Sequence, residues 1–194
     1  MITQRIASLT FACLIASAGL SGCAGSPSPY QSAEPSRRDS ARAEKLTRQA
    51  AELIESDPVK AEELLRDALA ADLYHGPAHN NLGVLFLQLD RLYEAANEFE
   101  WARKLMPGHP GPRINLGIAL ERGGRIDEAI QQYQAALVST PEHIEATQAL
   151  VRCQIRHDRT DDQTASRLNL IANRGQRHWR EWAIDQSLRA EPIR

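Results

Sequence analysis

Two stretches of this chain of 194 residues repeat the same residue types at an offset of 34 positions. In each copy a Leu-Gly pair is followed by an alanine, an aromatic ring, a second alanine and then a proline. The matched pairs are Leu82 and Leu116, Gly83 and Gly117, Ala95 and Ala129, Phe99 and Tyr133, Ala102 and Ala136, and Pro107 and Pro141, where 116 − 82 and every other difference equal 34. Self-similarity at such a period predicts one structural unit that stacks on copies of itself.

The spacing inside each copy predicts a pair of packed helices. Leu82 and Phe86 lie four residues apart, so both project from one face of a first helix. Gly83 beside them has no side chain and allows a second helix to approach closely. That second helix presents Phe99 between two alanines, and it ends before Pro107 because proline cannot continue the hydrogen-bond pattern.

The period and these residue types resemble the tetratricopeptide repeat family. The resemblance implies an all-α fold, an α-solenoid of antiparallel helix pairs with about three to four repeats and a C-terminal capping helix. His79 and Arg113 stand where the family prefers an aromatic residue, and Leu120 replaces a ring. The domain expected at residues 42–190 divides into repeats at about 42–75, 76–109, 110–143 and, in a degenerate copy, 144–174, followed by the capping helix at 176–188.

The turns and the weaker outer copies extend the pattern. Asp90 and Gly124 stand between the two helices of their units, and both residue types tolerate a left-handed backbone. In the first copy, the packing stripe is expected to be repeated by Leu46, Ala50, Leu53, Ala61, Leu65 and Ala68. In the degenerate fourth copy, residues 160–162 are expected to begin the second helix because Thr and Asp are favoured at helix N-termini.

The N-terminal segment has the pattern of a secretory signal. Arg5 supplies a positive charge, residues 6–20 are apolar and uncharged, and small residues follow. The apolar run is too short to cross a bilayer as a helix. The tetrapeptide Leu-Ser-Gly-Cys that ends at Cys23 resembles a bacterial lipobox, which implies a lipoprotein signal peptide at residues 1–22 and acylation of Cys23. An ordinary cleaved signal with an incidental cysteine is the alternative.

Residues 23–41 are rich in serine and proline and lack helical periodicity. This composition predicts a disordered tether between the lipid and one folded domain. Ala24, directly after the cysteine, is not the Asp that retains Gram-negative lipoproteins at the inner membrane. The resemblance therefore implies a lipid-anchored protein of the cell envelope, at the outer membrane facing the periplasm in a Gram-negative organism.

Charge and reactive residues argue against several classes of function. The 25 acidic residues slightly exceed the 23 basic ones, whereas a nucleic-acid partner requires a concentrated basic surface. His75, His109 and His143 recur at the repeat period, so they occupy equivalent turns and cannot share one metal ion. Cys153 is expected to pack as a small apolar side chain. With no nucleophile–base pair, phosphate loop or metal cluster apparent in the sequence, no enzyme, cofactor, metal site or small-molecule substrate is predicted.

The resemblance also implies a binding surface, because the first helix of each pair lines a concave groove in tetratricopeptide arrays. Asn81 and Asn115 are equivalent positions, and an asparagine ladder holds extended peptides in some members of the family. Arg152 and Arg156 lie four apart on one helix face, where they could meet a carboxylate. The residues expected in the groove are Asn80, Asn81, Val84, Leu87, Ile114, Asn115, Ile118, Arg122, Arg152 and Arg156.

Two functions of different classes are compatible with these features. The first is a lipid-anchored adaptor or scaffold that binds a peptide or helix of a partner protein in its groove, with membrane contact through Cys23. The carboxylate clamp of chaperone-binding relatives is not implied, since Thr47 and Ala51 replace its first Lys and Asn. The alternative is a homo-oligomeric envelope assembly factor (pilotin-like, or an accessory of secretion or pilus assembly) in which Trp179 and Trp182 form the interface instead of a cap.

Overall fold

The computed structural model describes residues 38–190, and the predicted signal peptide, Cys23 and the tether up to residue 37 lie outside that range. Within it the chain forms nine α-helices and no β-strand, which confirms the predicted all-α fold. Among these nine helices, none is long and apolar enough to cross a membrane. The helices are α1 (Ser40–Ala51), α2 (Pro58–Ala71), α3 (Gly76–Gln88), α4 (Leu92–Leu105), α5 (Pro110–Arg122), α6 (Ile126–Ser139), α7 (Ile144–Arg156), α8 (Thr164–Arg174) and α9 (Arg177–Ala190).

The helices stack as successive antiparallel pairs. α1 packs on α2, α3 on α4 and α5 on α6, and the second helix of each pair also contacts the first helix of the next pair. The first helices α1, α3, α5 and α7 contact one another in sequence and form one wall of the array, which we call the A-helix wall. This order of contacts is that of the predicted α-solenoid.

Two glycines set the distance between the helices of the central pairs. A Cβ atom on Gly83 would lie 2.6 Å from Cε1 of Phe99, and one on Gly117 would lie closer still to Cε1 of Tyr133. Both rings are fully buried in one continuous apolar core. Close helix approach therefore requires a residue without a side chain at both positions.

A residue in the left-handed region closes the internal turn of three successive units. The backbone angle φ is 58° at Asp90, 77° at Gly124 and 54° at Asp158. The first two confirm the turns predicted from residue type. Since 124 − 90 and 158 − 124 both equal 34, Asp158 shows that the fourth unit keeps the turn although its sequence is degenerate.

The second helix of the fourth unit begins later than the sequence predicts. A start at residues 160–162 is expected, whereas α8 begins at Thr164. The Asp161 carboxylate accepts hydrogen bonds from the Gln163 N–H at 3.0 Å and from the Thr164 hydroxyl at 3.1 Å, and Arg167 donates to both of its oxygens. These bonds stabilise a local turn, which competes with an earlier helix start.

The Asp161 carboxyl makes the fold sensitive to acid. Partial burial opposes its ionisation, but hydrogen bonds from Arg167 and Gln154 outweigh burial and lower its pKa to about 2. A pKa below its value in the unfolded chain adds stability that is present above about pH 4 and is lost as the pH falls towards 2.

We expect Asp161→Asn to lower the free energy of unfolding by about 1 kcal/mol at neutral pH, after solvent screening, and to have almost no effect near pH 2. Urea unfolding at both pH values tests this, with Asp162→Asn as control, and an equal cost at both would contradict it.

Side chains at N-cap positions define where several helices begin. Asp39 caps α1, which therefore starts at Ser40, two residues before the predicted domain boundary at residue 42. His75, His109 and His143 occupy the N-cap positions of α3, α5 and α7. The three histidines thus stand at equivalent turns of successive units, as their spacing predicts.

The first unit buries most of the predicted packing stripe. Ala50, Ala61, Leu65 and Ala68 are fully buried, which confirms the prediction at these positions. Leu46 and Leu53 also pack against the core but are only half-buried, and α1 buries Ala43 and Thr47 in addition. The Thr47 hydroxyl donates to the Ala43 carbonyl at 2.8 Å, which permits its burial.

The last helix covers the C-terminal end of the array. Ala183 of α9 is buried with apolar side chains of α7 and α8, and Trp179 and Trp182 pack half-buried beside it. The two indole rings meet edge to face with centroids 5.2 Å apart. On its other side α9 exposes Ile184 and Leu188. These contacts are those of a capping helix with an apolar stripe left on its outer face.

Candidate functional site

The A-helix wall presents side chains of α3, α5 and α7 at the period of the array. Ile114 is the exception among the predicted groove residues, because its apolar side chain is buried in the core. The prediction that Ile114 lines the groove is therefore wrong. The predicted residues that are at least partly exposed are Asn80, Asn81, Val84 and Leu87 on α3, Asn115, Ile118 and Arg122 on α5, and Arg152 and Arg156 on α7.

Three asparagines connect the second and third units across the wall. Asn115 Nδ2 donates to Asn80 Oδ1 at 3.1 Å, and Asn80 Nδ2 points to Asn81 Oδ1 at 3.4 Å. The equivalent residues Asn81 and Asn115 are thus linked through Asn80. Within residues 38–190, Asn81 Nδ2 and Asn115 Oδ1 have no hydrogen-bond partner. One donor group and one acceptor atom therefore remain available on the wall.

A nearly buried carboxylate lies at the other end of this surface. The Glu121 side chain is only 6% exposed. It accepts hydrogen bonds from the Tyr133 hydroxyl at 3.0 Å and from Arg156 at 2.9 Å, with Arg152 Nη2 at 3.5 Å and His157 Nε2 at 3.8 Å. Burial, and then the neighbouring carboxylate, raises the pKa of Tyr133, so its hydroxyl stays protonated and donates. Several donors thus share one carboxylate.

The three predicted groove arginines are already bonded to the preceding unit. Arg122 donates to the Leu87 carbonyl at 2.7 Å and to Asp90 at 2.8 Å. Arg152 and Arg156 both approach the carboxylate of Glu121. Arg152 and Arg156, which are predicted to meet a carboxylate or an acidic peptide, thus both lie against a carboxylate of this chain, because a buried carboxylate requires charged partners of its own.

These side chains enclose a cavity of about 370 Å³ between α5 and α7. Two of the residues that line it, Glu121 and His157, were not among the groove residues predicted from the sequence. The repeat period could have indicated Glu121, because 121 − 87 = 34 makes it the equivalent of Leu87, which is a predicted groove residue. The cavity is lined by Ile118, Glu121, Arg122, Arg152, Arg156 and His157.

One group of metal-ligand residue types lies beside the cavity. Ligand atoms of Glu121, Cys153 and His157 are all within 4.8 Å of one another, a cluster that the sequence does not reveal. Burial, and then the charge of Glu121, raises the pKa of the Cys153 thiol to about 11, so the thiolate that would bind a metal is disfavoured. Two guanidinium groups, those of Arg152 and Arg156, also repel a cation here. Glu121 is therefore better described as the ion-pair partner of Arg152 and Arg156 than as a metal ligand.

A larger cavity of about 740 Å³ lies on the other side of the array, between α6 and α8. Its lining includes residues 161–163, which directly precede α8. Of its four charged lining residues, Asp161 and Arg167 bond to each other and Glu142 pairs with Arg174, which leaves the exposed Asp162. We therefore place the candidate site on the A-helix wall.

The central units are similar to known sequences. A model of the tetratricopeptide repeat family matches residues 91–144, which contain α4, α5 and α6. Tetratricopeptide repeat protein 8 of Caenorhabditis elegans is 32% identical over 80 residues, or 41% of this chain. The chain spans only 15% of the length of that relative.

Solved structures share the fold at low identity. The first tetratricopeptide domain of Spaghetti (RPAP3), bound to an HSP90 peptide, has a TM-score of 0.59 at 20% identity over 63% of this chain and 98% of that one. MamA from Desulfovibrio magneticus RS-1 has a TM-score of 0.57 at 18% identity over 77% and 78%. A mutant O-GlcNAc transferase of Thermobaculum terrenum has a TM-score of 0.62 at 23% identity over 75% of this chain and 27% of the enzyme. Residues 91–144 thus resemble the tetratricopeptide repeat family in sequence, and the described helices share the fold of its solved structures.

The polar part of the A-helix wall lies between the second and fourth helix pairs. In the first unit Thr47 is buried and bonded to its own helix, so it is not available on the wall. The asparagines of α3 and α5 and the cavity between α5 and α7 both belong to this wall. We call these asparagines and this cavity, with the apolar residues Val84, Leu87 and Ile118, the polar groove.

Proposed function

We propose that this chain is a lipid-anchored adaptor of the bacterial cell envelope that holds a peptide or helix of a partner protein along its polar groove. The observation that carries the proposal is that Asn81 Nδ2 and Asn115 Oδ1 have no hydrogen-bond partner among the residues that the structure describes. A peptide backbone offers one N–H and one C=O per residue. It can therefore accept from Asn81 and donate to Asn115 at the same time.

Apolar side chains beside the asparagines supply contact area for such a segment. Val84, Leu87 and Ile118 are only half-buried, although they pack against the core. A bound chain would remove their remaining surface from water, at about 25 cal/mol per Å² of apolar area. Hydrogen-bonding groups flanked by apolar surface are typical of sites that bind polypeptides.

The likeness to solved structures supports a polypeptide partner. The RPAP3 domain has the same fold and is bound to the HSP90 peptide SRMEEVD. Tetratricopeptide repeat domains are generally interaction modules without catalysis. We therefore propose that the chain acts by binding, with no reaction of its own and no small-molecule substrate.

Two variants test the polar groove directly. We expect Asn81→Ala combined with Asn115→Ala to weaken peptide binding about tenfold, because two hydrogen bonds of about 0.5–1.5 kcal/mol each are lost. Peptides selected from a random library on the full chain serve as probes, and calorimetry gives their dissociation constants. Asn97→Ala combined with Asn169→Ala is the matched control, since both asparagines are exposed on second helices. Equal affinities for the two double variants would contradict the proposal.

The anchor rests on the lipobox-like tetrapeptide that ends at Cys23. We expect Cys23→Ser to abolish incorporation of labelled palmitate and to move most of the protein from the membrane to the soluble fraction, because acyl chains supply the membrane affinity. Cys13→Ser is the matched control, since Cys13 lies within the apolar run of the predicted signal. Unchanged labelling of the Cys23 variant would exclude the lipoprotein assignment.

One observation favours the homo-oligomeric alternative. Ile184 and Leu188 lie four residues apart on α9 and are 52% and 68% exposed, so they form an apolar stripe on the outer face of the capping helix. Trp179 and Trp182 pack inwards and contribute less surface. Light scattering of the full chain at several concentrations, with and without Leu188→Glu, separates self-association through α9 from the adaptor function.

A further inference from the structure

Three large apolar side chains are exposed beside the internal turns of the first two units. Val59 and Tyr93, the second residues of α2 and α4, are largely exposed, and Leu89, which directly follows α3, is exposed in part. Arg91 donates to Glu62 at 3.2 Å, and this bond joins the beginnings of α2 and α4. The three apolar side chains therefore belong to one edge of the array, which we call the turn-edge patch.

The third unit shows that the fold does not require an apolar residue at these positions. Val59 and Tyr93 are equivalent, since 93 − 59 = 34, and the equivalent residue of the third unit is Asp127. Asp127 pairs with Arg159 of the following unit at 3.4 Å. The same position thus accepts a charged side chain that bonds to its neighbour. Contiguous exposed apolar side chains that the fold does not need are typical of an interaction surface.

Negative charge surrounds the turn-edge patch. Residues 52–63 and 89–94 contain seven acidic and two basic side chains, a net charge of 2 − 7 = −5. The two basic residues and Arg122 pair with four of these acids. Glu52 and Glu55 are exposed and have no ion-pair partner within residues 38–190. A partner of this patch must therefore combine apolar side chains with positive charge.

The outer face of α9 has this complementary character. Ile184 and Leu188 form its exposed apolar stripe. The helix contains three arginines and two acids, a net charge of 3 − 2 = +1. Glu181 and Asp185 each pair with an arginine of α9 four residues away, so Arg180 has no ion-pair partner among the residues that the structure describes.

We propose that the outer face of α9 in one copy of this chain docks on the turn-edge patch of a second copy. Opposite charges attract the two surfaces, and their contact removes both sets of exposed apolar side chains from water. Within one copy the third unit separates the two surfaces, so the contact forms between copies. Because two different surfaces meet, the interface is heterologous, and its repetition gives a ring or an open filament.

This contact uses no residue of the polar groove. The groove lies on the A-helix wall, whereas Val59 and Tyr93 begin second helices and α9 covers the C-terminal end of the array. The inference therefore goes beyond the adaptor function and assigns both surfaces of a self-association. Copies joined in this way would hold several grooves at once, so a partner with repeated segments would be bound more tightly than by one groove.

Two blocked variants of the full chain test the contact, with Cys23→Ser in every chain so that acylation cannot cause association. One carries Val59→Asp and Tyr93→Asp, the residue type found at position 127, and the other carries Ile184→Glu and Leu188→Glu. We expect light scattering to show that the unblocked chain grows beyond a dimer with concentration and that each blocked variant associates at least tenfold more weakly. An equimolar mixture of the two variants should form one-to-one dimers, because each retains one surface. Val138→Asp, at an exposed position of α6, is the matched control and should associate normally.

Charge reversal tests the electrostatic part of the contact. Glu52→Arg with Glu55→Arg, or Arg180→Glu alone, is expected to weaken association about threefold to tenfold. Combining all three in one chain should restore part of the loss, because the charges are opposite again. Equal or greater weakening in the combined variant would overturn the assigned pairing of surfaces.

The remaining outcomes separate this contact from other arrangements. Dimers of the Val59→Asp/Tyr93→Asp variant alone would indicate that α9 pairs with α9, and dimers of the Ile184→Glu/Leu188→Glu variant alone would indicate that two patches pair. Either result would overturn the proposal, as would an unblocked chain that stays monomeric at every concentration. Peptide affinity of the polar groove is expected to be unchanged in both blocked variants, so the adaptor function is tested separately. Circular dichroism verifies that each variant is folded.

Discussion

Replacing Phe99 by alanine is expected to lower the free energy of unfolding by about 3 to 5 kcal/mol. The ring is fully buried and lies against Gly83 across the contact between α3 and α4. Its removal leaves a cavity in the continuous core, and the glycine opposite has no side chain with which to fill it. Urea unfolding followed by circular dichroism measures the change.

Tyr93 provides the control for this experiment. It is an aromatic residue on the same helix, but it is 79% exposed. We expect Tyr93→Ala to change the free energy of unfolding by less than about 0.5 kcal/mol. A loss below about 1 kcal/mol for Phe99→Ala, or equal losses for both variants, would show that the ring does not hold the pair together.

The second large effect is expected from a side chain at Gly117. Gly117→Val should cost about 3 kcal/mol of unfolding free energy, because a Cβ atom there would lie 2.8 Å from Cδ1 of Tyr133 and closer to Cε1. The ring cannot easily move away, since it is fully buried and its hydroxyl is bonded to Glu121. Urea unfolding again gives the magnitude.

Two further variants show whether the loss arises at this contact. A Cβ atom on Gly108 would have no other heavy atom within 4 Å, so Gly108→Val should cost less than about 1 kcal/mol. Tyr133→Ala removes the clashing ring, so the costs of Gly117→Val and Tyr133→Ala should not add, and the coupling should exceed about 1 kcal/mol. Additive costs would place the destabilisation elsewhere.

The contacts inside each unit could be predicted because they depend on residues close in sequence. Gly83 and Phe99 belong to one helix hairpin, and the periodicity of two helices alone brings them together. The turn at Asp90 follows from residue type in the same way. For these features, local spacing determines the three-dimensional contact.

Contacts between units could not be predicted as well from the sequence. Glu121 accepts from Arg156, which is 35 residues later, and Arg122 reaches back by a similar distance to Leu87. Whether a long arginine bonds to the preceding unit or points to solvent depends on the tilt between units, which residue spacing does not specify. The sequence therefore identified the arginines of the groove but not their carboxylate.

The late start of α8 had a similar cause. Residue types favoured the earlier start, but Asp161 is bonded to Arg167 and Gln154 from outside the expected cap. Competition between a side-chain turn and a helix cap is decided by these tertiary partners.

Paramagnetic relaxation tests most directly whether the partner lies along the A-helix wall. A selected peptide with a nitroxide label is added to the full chain carrying ¹³C-labelled methyl groups. We predict strong broadening of the Val84 and Ile118 methyl signals and little change at Val59 and Val138, which are exposed on the second helices. Broadening that is strongest at Val59 or Val138 would contradict binding along the A-helix wall.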